Sequence, residues 1–292
     1  MERRLLHPEG PVFSRIIAGA WRWHTVDAST VSRLIQTSLD QGITTFDNAD
    51  IYGDHSNEEI FGNALKKDDG LRTKMEIVTK CGIKFPSLKR PESWVKHYDT
   101  SKEHILKSVD NSLKLHGTHY LDLLLIHRPD PLLNPVEVAE AFTILKNNGK
   151  VLHFGVSNFT PFQFEMLQSY LPFPLVTNQV EISLTCSQPM FDGTLDVLMK
   201  QRTSPMAWSP LGGGNLMNET NKHIFSKKEE KYNATGNQLS LAWLLNHPSI
   251  IFPVIGTTKP ERIIESAAAM EIKLDRQDWF DMLKAAMGSE MP

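Results

Sequence analysis

The sequence predicts an α/β fold, a single (β/α)8 TIM barrel with eight parallel strands spanning 1–292, and three observations carry that expectation. The chain has 292 residues, room for two ordinary domains or one large barrel. Eight short aliphatic or β-branched runs alternate with segments of helical period. Runs such as LDLLLI lack the polar alternation of a half-solvated strand, which suits parallel strands covered on both faces.

The runs are IIAGAW (16–21), ITTFDNA (43–49), EIVTKCG (76–82), LDLLLIH (121–127), VLHFGVSN (151–158), LVTNQVEIS (175–183), PMAWSP (205–210) and IIFPVIG (250–256). Between them, 29–41 sets Val31, Leu34, Ile35 and Leu39 on one stripe, and 101–116 does the same with Ile105, Val109, Ser112 and Leu113. Gly42 and Gly117 stand where these helices should stop, and a helix over 134–148 ends at Gly149. Thr160-Pro161 reads as an N-cap and first-turn pair. Helices over 237–246 and 260–270, weaker ones over 57–66 and 191–201, and a last one around 279–286 complete the pattern. The rival doubly wound sheet wants a glycine-rich phosphate loop, and no GxGxxG occurs. No repeat or linker divides the chain.

Hydrophobic residues make up 40%, enough for a sizeable core. Lys and Arg total 31 against 34 Asp and Glu, so no basic excess exists to hold a nucleic acid backbone. No apolar run approaches the roughly 20 residues of a membrane span, and the opening MERRLLHPEG lacks an apolar leader core. Cys81 and Cys186 are too few and too far apart for a disulfide framework or a CxxC zinc site. A cytoplasmic protein without nucleic acid or membrane partners is expected.

In such a barrel, chemistry belongs at the carboxyl ends of the strands. The second run leads through Asp47 to Tyr52-Gly53, the third ends in Thr79-Lys80-Cys81-Gly82, and the fourth in Ile126-His127-Arg128-Pro129. Alone, a histidine or aspartate at a strand end is usually a hydrogen-bonded structural residue or a cap. Lys80 is different. If it shares the inward parity of Val78, its buried ammonium needs a carboxylate, and Asp47 on the neighbouring strand is available. An ammonium beside Tyr52 stabilises phenolate and lowers the phenol from its ordinary pKa of about 10. With His127 as a second donor, the set suits a carbonyl oxygen that gains negative charge as hydride reaches its carbon. No HxH or HxxxH pair stands at a strand end, so neither a metal site nor a metal-dependent hydrolase is expected.

In the contexts FDNADIYG, VTKCG and LIHRPD, these residues closely resemble the Asp, Tyr, Lys and His tetrad of the aldo-keto reductases, over nearly the whole chain. The resemblance implies an NADPH-dependent (NADP+-forming) reductase of aldehydes or ketones. It makes Tyr52 the general acid, Lys80 the neighbour that lowers its pKa, Asp47 the partner of Lys80, and His127 the residue that orients the carbonyl. It also implies that Ser157, Asn158 and Gln179 meet the nicotinamide carboxamide and that Trp208 stacks on its ring, in place of the tyrosine of many members. Ser209, Pro210, Leu211 and Gly212 resemble the pyrophosphate loop, and GTTKPERIIES the segment that grips the adenosine end, with Gly256-Thr257 replacing the more familiar Lys-Ser. The chemistry agrees: Thr257, Thr258 and Lys259 lead into Pro260 at a helix start, whose free N–H groups suit a phosphate, and Lys259 and Arg262 suit a 2′-phosphate.

Trp21, Trp23 and Phe85 are candidate pocket walls for an apolar carbonyl, and the chain ends soon after its last helix, so a fairly open site of modest selectivity is expected. A cofactor-binding regulatory or scaffolding subunit is the alternative; the intact tetrad weighs against it. A monomer is favoured.

Overall fold

The computed structural model describes residues 1–68, 70–216, 222–225 and 227–290. Each run yields one strand of a closed barrel: β1 (Ile17–Gly19), β2 (Thr45–Asp47), β3 (Glu76–Cys81), β4 (Leu121–Ile126), β5 (Val151–Ser157), β6 (Leu175–Glu181), β7 (Met206–Trp208) and β8 (Phe252–Ile255). All neighbours pair in parallel, and β8 closes onto β1 through Ile255 opposite Ala18. The expected (β/α)8 barrel is what the chain forms.

Side-chain parity builds two cores. Val78, Leu123, Leu125, Val176, Met206 and Phe252 fill the barrel interior, while Ile77, Cys81, Leu124 and Ile126 face outward against the helices. The outer layer comprises α1 (Ala28–Asp40), α2 (Asn57–Leu65), α3 (Lys102–His116), α4 (Pro135–Asn147), α5 (Pro161–Gln168), α6 (Thr194–Lys200), α7 (Lys228–Tyr232), α8 (Gly236–Leu245), α9 (Pro260–Ala268) and α10 (Arg276–Met287). The Thr160 hydroxyl and Gln163 side chain form the capping box of α5, and Gly117 ends α3 in the left-handed conformation.

Two elements were not foreseen. An antiparallel hairpin, Arg3–Leu5 with Val12–Ser14, carries Leu6 and Phe13 into the interior core. A second, Ile83–Lys84 with His97–Tyr98, lies in the long connection that follows β3. Where α2 crosses α3, a Cβ on Gly62 would stand 2.0 Å from the Leu115 carbonyl oxygen, so glycine permits backbone contact there. No helix among the described residues is long and apolar enough to cross a membrane.

Candidate active site

Parallel register sets Asp47 opposite Val78 and Cys81 opposite Ile126, bringing the ends of β2, β3 and β4 to one rim. Lys80 has the inward parity of Val78 and is fully buried. Its ammonium donates to Asp47 Oδ1 at 2.5 Å, the Asn48 carbonyl at 2.8 Å and the Tyr52 hydroxyl oxygen at 3.2 Å. An ammonium has three protons, and each has an acceptor. Across the barrel, Gln179 Nε2 on β6 donates to Asp47 Oδ2 at 2.8 Å. Both oxygens of Asp47 are thus engaged, the condition under which a buried ion pair is tolerated.

Tyr52 reaches this pair because the chain turns through Gly53, Asp54 and His55 with φ of 59°, 53° and 61°. A Cβ on Gly53 would lie 2.6 Å from His24 Cγ, so the turn needs glycine on space as well as on φ. His127 follows β4 directly, and its ring meets that of Tyr52 edge-on at 5.8 Å between centroids. The structure therefore brings Asp47, Tyr52, Lys80 and His127 together.

The protonation states follow from burial and charge. For Lys80, burial favours loss of the proton, but Asp47 and Tyr52 outweigh it and hold the ammonium above its ordinary range. Burial, with the Lys80 and Arg128 charges adding, keeps His127 well below the usual imidazole range, so it is neutral at pH 7. The direction for Tyr52 corrects the expectation: burial pushes the phenol up more than Lys80 pulls it down. The resting site holds a protonated phenol. Stabilisation by Lys80 appears only as negative charge develops on the oxygen.

Four of the expected cofactor residues, Ser157, Asn158, Gln179 and Trp208, are joined by hydrogen bonds. Ser157 donates through Oγ to the Gln179 carbonyl at 2.8 Å, and Asn158 donates through Nδ2 to Ser157 Oγ at 2.7 Å. Asn158 Oδ1 accepts from Trp208 Nε1 at 2.9 Å, fixing the half-buried indole. Ser209 has φ of 48° and its carbonyl accepts from Gly212 N at 2.9 Å; Leu211 packs against the core. Gly212, Gly213 and Gly214 all take positive φ. Beyond β8, Gly256 is exposed and Thr258 half-buried, while Thr257 Oγ1 accepts from Lys259 N at 3.1 Å. Lys259 precedes α9 without a side-chain cap on its N–H groups. Lys259 and Arg262 are exposed, and no ion pair holds either among the described residues. Those free cations, beside uncapped N–H groups and an open backbone at Gly256, fit a dinucleotide's anionic end.

Of the candidate walls, Trp21 is 53% exposed, with the Arg22 guanidinium over its ring. Phe85 is half-buried and stacks on His55 at 5.3 Å. Trp23 is corrected: it is 1% exposed and packed on Phe46 and Phe61, with Nε1 donating to the Thr257 carbonyl at 3.0 Å. A 3-10 turn over Trp23–Thr25 sends this indole inward while Trp21 stays outside. Two contacts were missed. One is the Gln179–Asp47 bond. The other is Arg128, whose half-buried guanidinium lies 5.4 Å above the Trp208 ring and has no carboxylate partner among the described residues. Its signal was its place directly after His127. Among the described residues no group of three or more His, Cys, Asp or Glu could hold a metal ion.

A positioned phenol, a buried ammonium and a neutral imidazole around one opening can deliver a proton to a carbonyl oxygen. Comparison with known proteins agrees. The model of the Aldo/keto reductase family matches residues 15–286. The chain is 47% identical to Oxidoreductase YdhF of Escherichia coli (strain K12), over all of both chains. It is also 47% identical to a 6-dehydroglucose reductase of Agrobacterium fabrum, over 95% of this chain and 96% of that one. The crystal structure of the thermostable aldo-keto reductase Tm1743 with the inhibitor epalrestat superposes with a TM-score of 0.84 at 28% identity, covering 98% of this chain and 100% of that one. The protein defined by this barrel and site belongs to the aldo/keto reductase family. It is an oxidoreductase of a family whose members use nicotinamide cofactors.

Proposed function

We propose that this chain is an NADPH-dependent reductase of aldehydes or ketones with Tyr52 as the general acid. The observation that carries the reading is the Lys80 ammonium, held between Asp47 and the Tyr52 hydroxyl. Reduced nicotinamide, when bound, supplies the hydride. Tyr52 gives its proton to the substrate oxygen, and the phenolate left behind is stabilised by Lys80, whose charge Asp47 and Gln179 hold in place. Neutral His127 can donate one hydrogen bond to the same oxygen and so orient it.

Ser157, Asn158 and Trp208 would hold the nicotinamide end, with Gln179 beside them. Ser209, Leu211 and Gly212 would line the pyrophosphate, and Gly256, Thr257, Thr258, Lys259 and Arg262 the adenosine end. The two free cations support NADPH over NADH. With Trp23 in the core, the apolar wall reduces to Trp21 and Phe85, and Arg128 adds a cation at the mouth. A hydroxylated aldehyde, like that named for the Agrobacterium relative, then fits as well as an aryl aldehyde. We read the chain as one domain, monomeric and cytoplasmic.

The test is NADPH oxidation with 4-nitrobenzaldehyde and with a sugar aldehyde. Turnover that disappears in Tyr52→Phe supports the reductase. Tight NADPH binding with no turnover of any carbonyl would favour a regulatory subunit instead.

A further inference from the structure

Behind the active site, between the end of β3 and helices α2 and α3, lies a second polar cluster that the mechanism above does not use. Glu58 on α2 is buried and accepts from Thr79 Oγ1 at 2.6 Å and from Ser112 Oγ at 3.0 Å, one donor for each oxygen. Asp50 stands between this cluster and the catalytic loop. Its N–H donates to the Lys80 carbonyl at 3.1 Å, and its own carbonyl meets His55 Nδ1 at 2.8 Å. Its Oδ2 accepts from Ser108 Oγ on α3 at 3.0 Å, whereas Oδ1 is sealed from solvent with no hydrogen-bond partner. A carboxylate there would have the Ser108 hydroxyl as its one side-chain donor for two charged oxygens; a neutral acid places no charge in the buried site.

We propose that Asp50 is a positioning residue, a neutral carboxylic acid that pins the Tyr52 loop to α3 and so holds the phenol against Lys80. The inference rests on the reading of Tyr52 as the proton donor. The same loop is also tied to α2 by Asn57 Nδ2, which donates to Asn48 Oδ1 at 2.9 Å, but beyond Asp50 the backbone passes through Gly53, Asp54 and His55, all with positive φ. Tyr52 is two residues from the pin, so a shift of Asp50 displaces its hydroxyl from the ammonium.

The groups facing Asp50 are Glu58 from α2, the Cys81 thiol at the end of β3, Ser108 from α3, and Arg90 from the connection after β3. Burial first, and then the Glu58 charge, push the Asp50 acid up to about 8. As pH rises through that value the side chain ionises; the Ser108 bond favours the carboxylate, but burial and the Glu58 charge outweigh it and drive the ionised side chain from its seat.

The experiment uses the full chain with NADPH and a reactive aldehyde, and records kcat and KM against pH. Wild type is expected to lose kcat above pH about 8, well below the range in which buried Tyr52 itself ionises. Asp50→Asn, a neutral isostere, should stay within about threefold of wild type at pH 7 and lose that alkaline limb. Ser108→Ala removes the same bond without opening a large cavity, and should lower kcat about tenfold with the KM for NADPH within about twofold. An unchanged limb in Asp50→Asn, or an unchanged kcat in Ser108→Ala, overturns the inference. Infrared difference spectra add a readout independent of turnover: a protonated-carboxyl band in wild type at pH 7, absent in Asp50→Asn. Absence of the band in wild type overturns the neutral acid whatever the activity. A chain that shows the band yet reduces no carbonyl overturns the Tyr52 reading instead.

Discussion

Replacing Lys80 by methionine keeps most of the length of the side chain and removes its charge. In wild type the ammonium lies 3.2 Å from the Tyr52 oxygen, where a unit charge stabilises phenolate by about 5 kcal/mol at an effective dielectric of about 20. If about half of that is realised when the proton is partly transferred, the barrier rises by about 2.5 kcal/mol; full transfer brings the whole amount. The expected loss of kcat therefore lies between about 10²- and 10⁴-fold. NADPH binding should change little, because the residues proposed to grip it lie on other strands. The same substitution strands a buried Asp47 carboxylate and costs about 3–5 kcal/mol of stability. The two effects separate in the double variant Asp47→Asn/Lys80→Met, which discards the orphaned charge while Gln179 keeps an acceptor. Denaturant unfolding, NADPH fluorescence titration and NADPH oxidation are measured on both variants. Stability should return in the double variant and activity should not. Recovery of activity along with stability would falsify the electrostatic role of Lys80, as would a single variant within tenfold of wild type.

Replacing both Lys259 and Arg262 by alanine should raise the KM for NADPH about tenfold or more and leave that for NADH within about twofold; equal changes refute their assignment to a 2′-phosphate. Trp23→Ala should cost about 3–5 kcal/mol of stability, whereas Trp21→Ala stays within about 0.5 kcal/mol, as denaturant midpoints would show. Burial holds His116 and His127 below the ordinary imidazole value. The unfolded chain therefore binds more protons than the folded one between that depressed value and about 6.5, so stability is fully present above about 6.5 and falls as pH drops through this window. Replacing His127 by glutamine should reduce the slope of unfolding free energy against pH there by up to one proton; an unchanged slope would mean that His127 is already charged in the folded chain.

The barrel was legible because each strand carries a short aliphatic run and most of the longer helices an N-cap or terminal glycine, signals that need no partner to be read. The gathering of Asp47, Tyr52, Lys80 and His127 was legible for a related reason. Period-two alternation aligns Lys80 with Val78, and a lysine facing a barrel interior has few physical excuses. What escaped depends on distance through space. The Gln179–Asp47 bond joins residues 132 apart in sequence, and only closure of the barrel brings their strands face to face. The direction of the Tyr52 shift depends on how deeply the ring is covered, which the local sequence does not encode. Trp21 and Trp23 look alike in sequence, and a single tight turn separates them. The Asp50 cluster left one trace, a serine at 112 within an otherwise aliphatic helical stripe.

The glutamine bridge ties the first half of the chain to the second. Asp47 arrives with strands one to four and Gln179 with strands five to eight. A fragment containing only the earlier half would still own the aspartate, tyrosine, lysine and histidine, but its carboxylate would lose the far-side donor that completes its solvation. Splitting the gene between Gly149 and Lys150 would therefore separate all four gathered side chains from the brace that steadies them, and the proposed activity would return only when the two pieces reassemble into a complete ring.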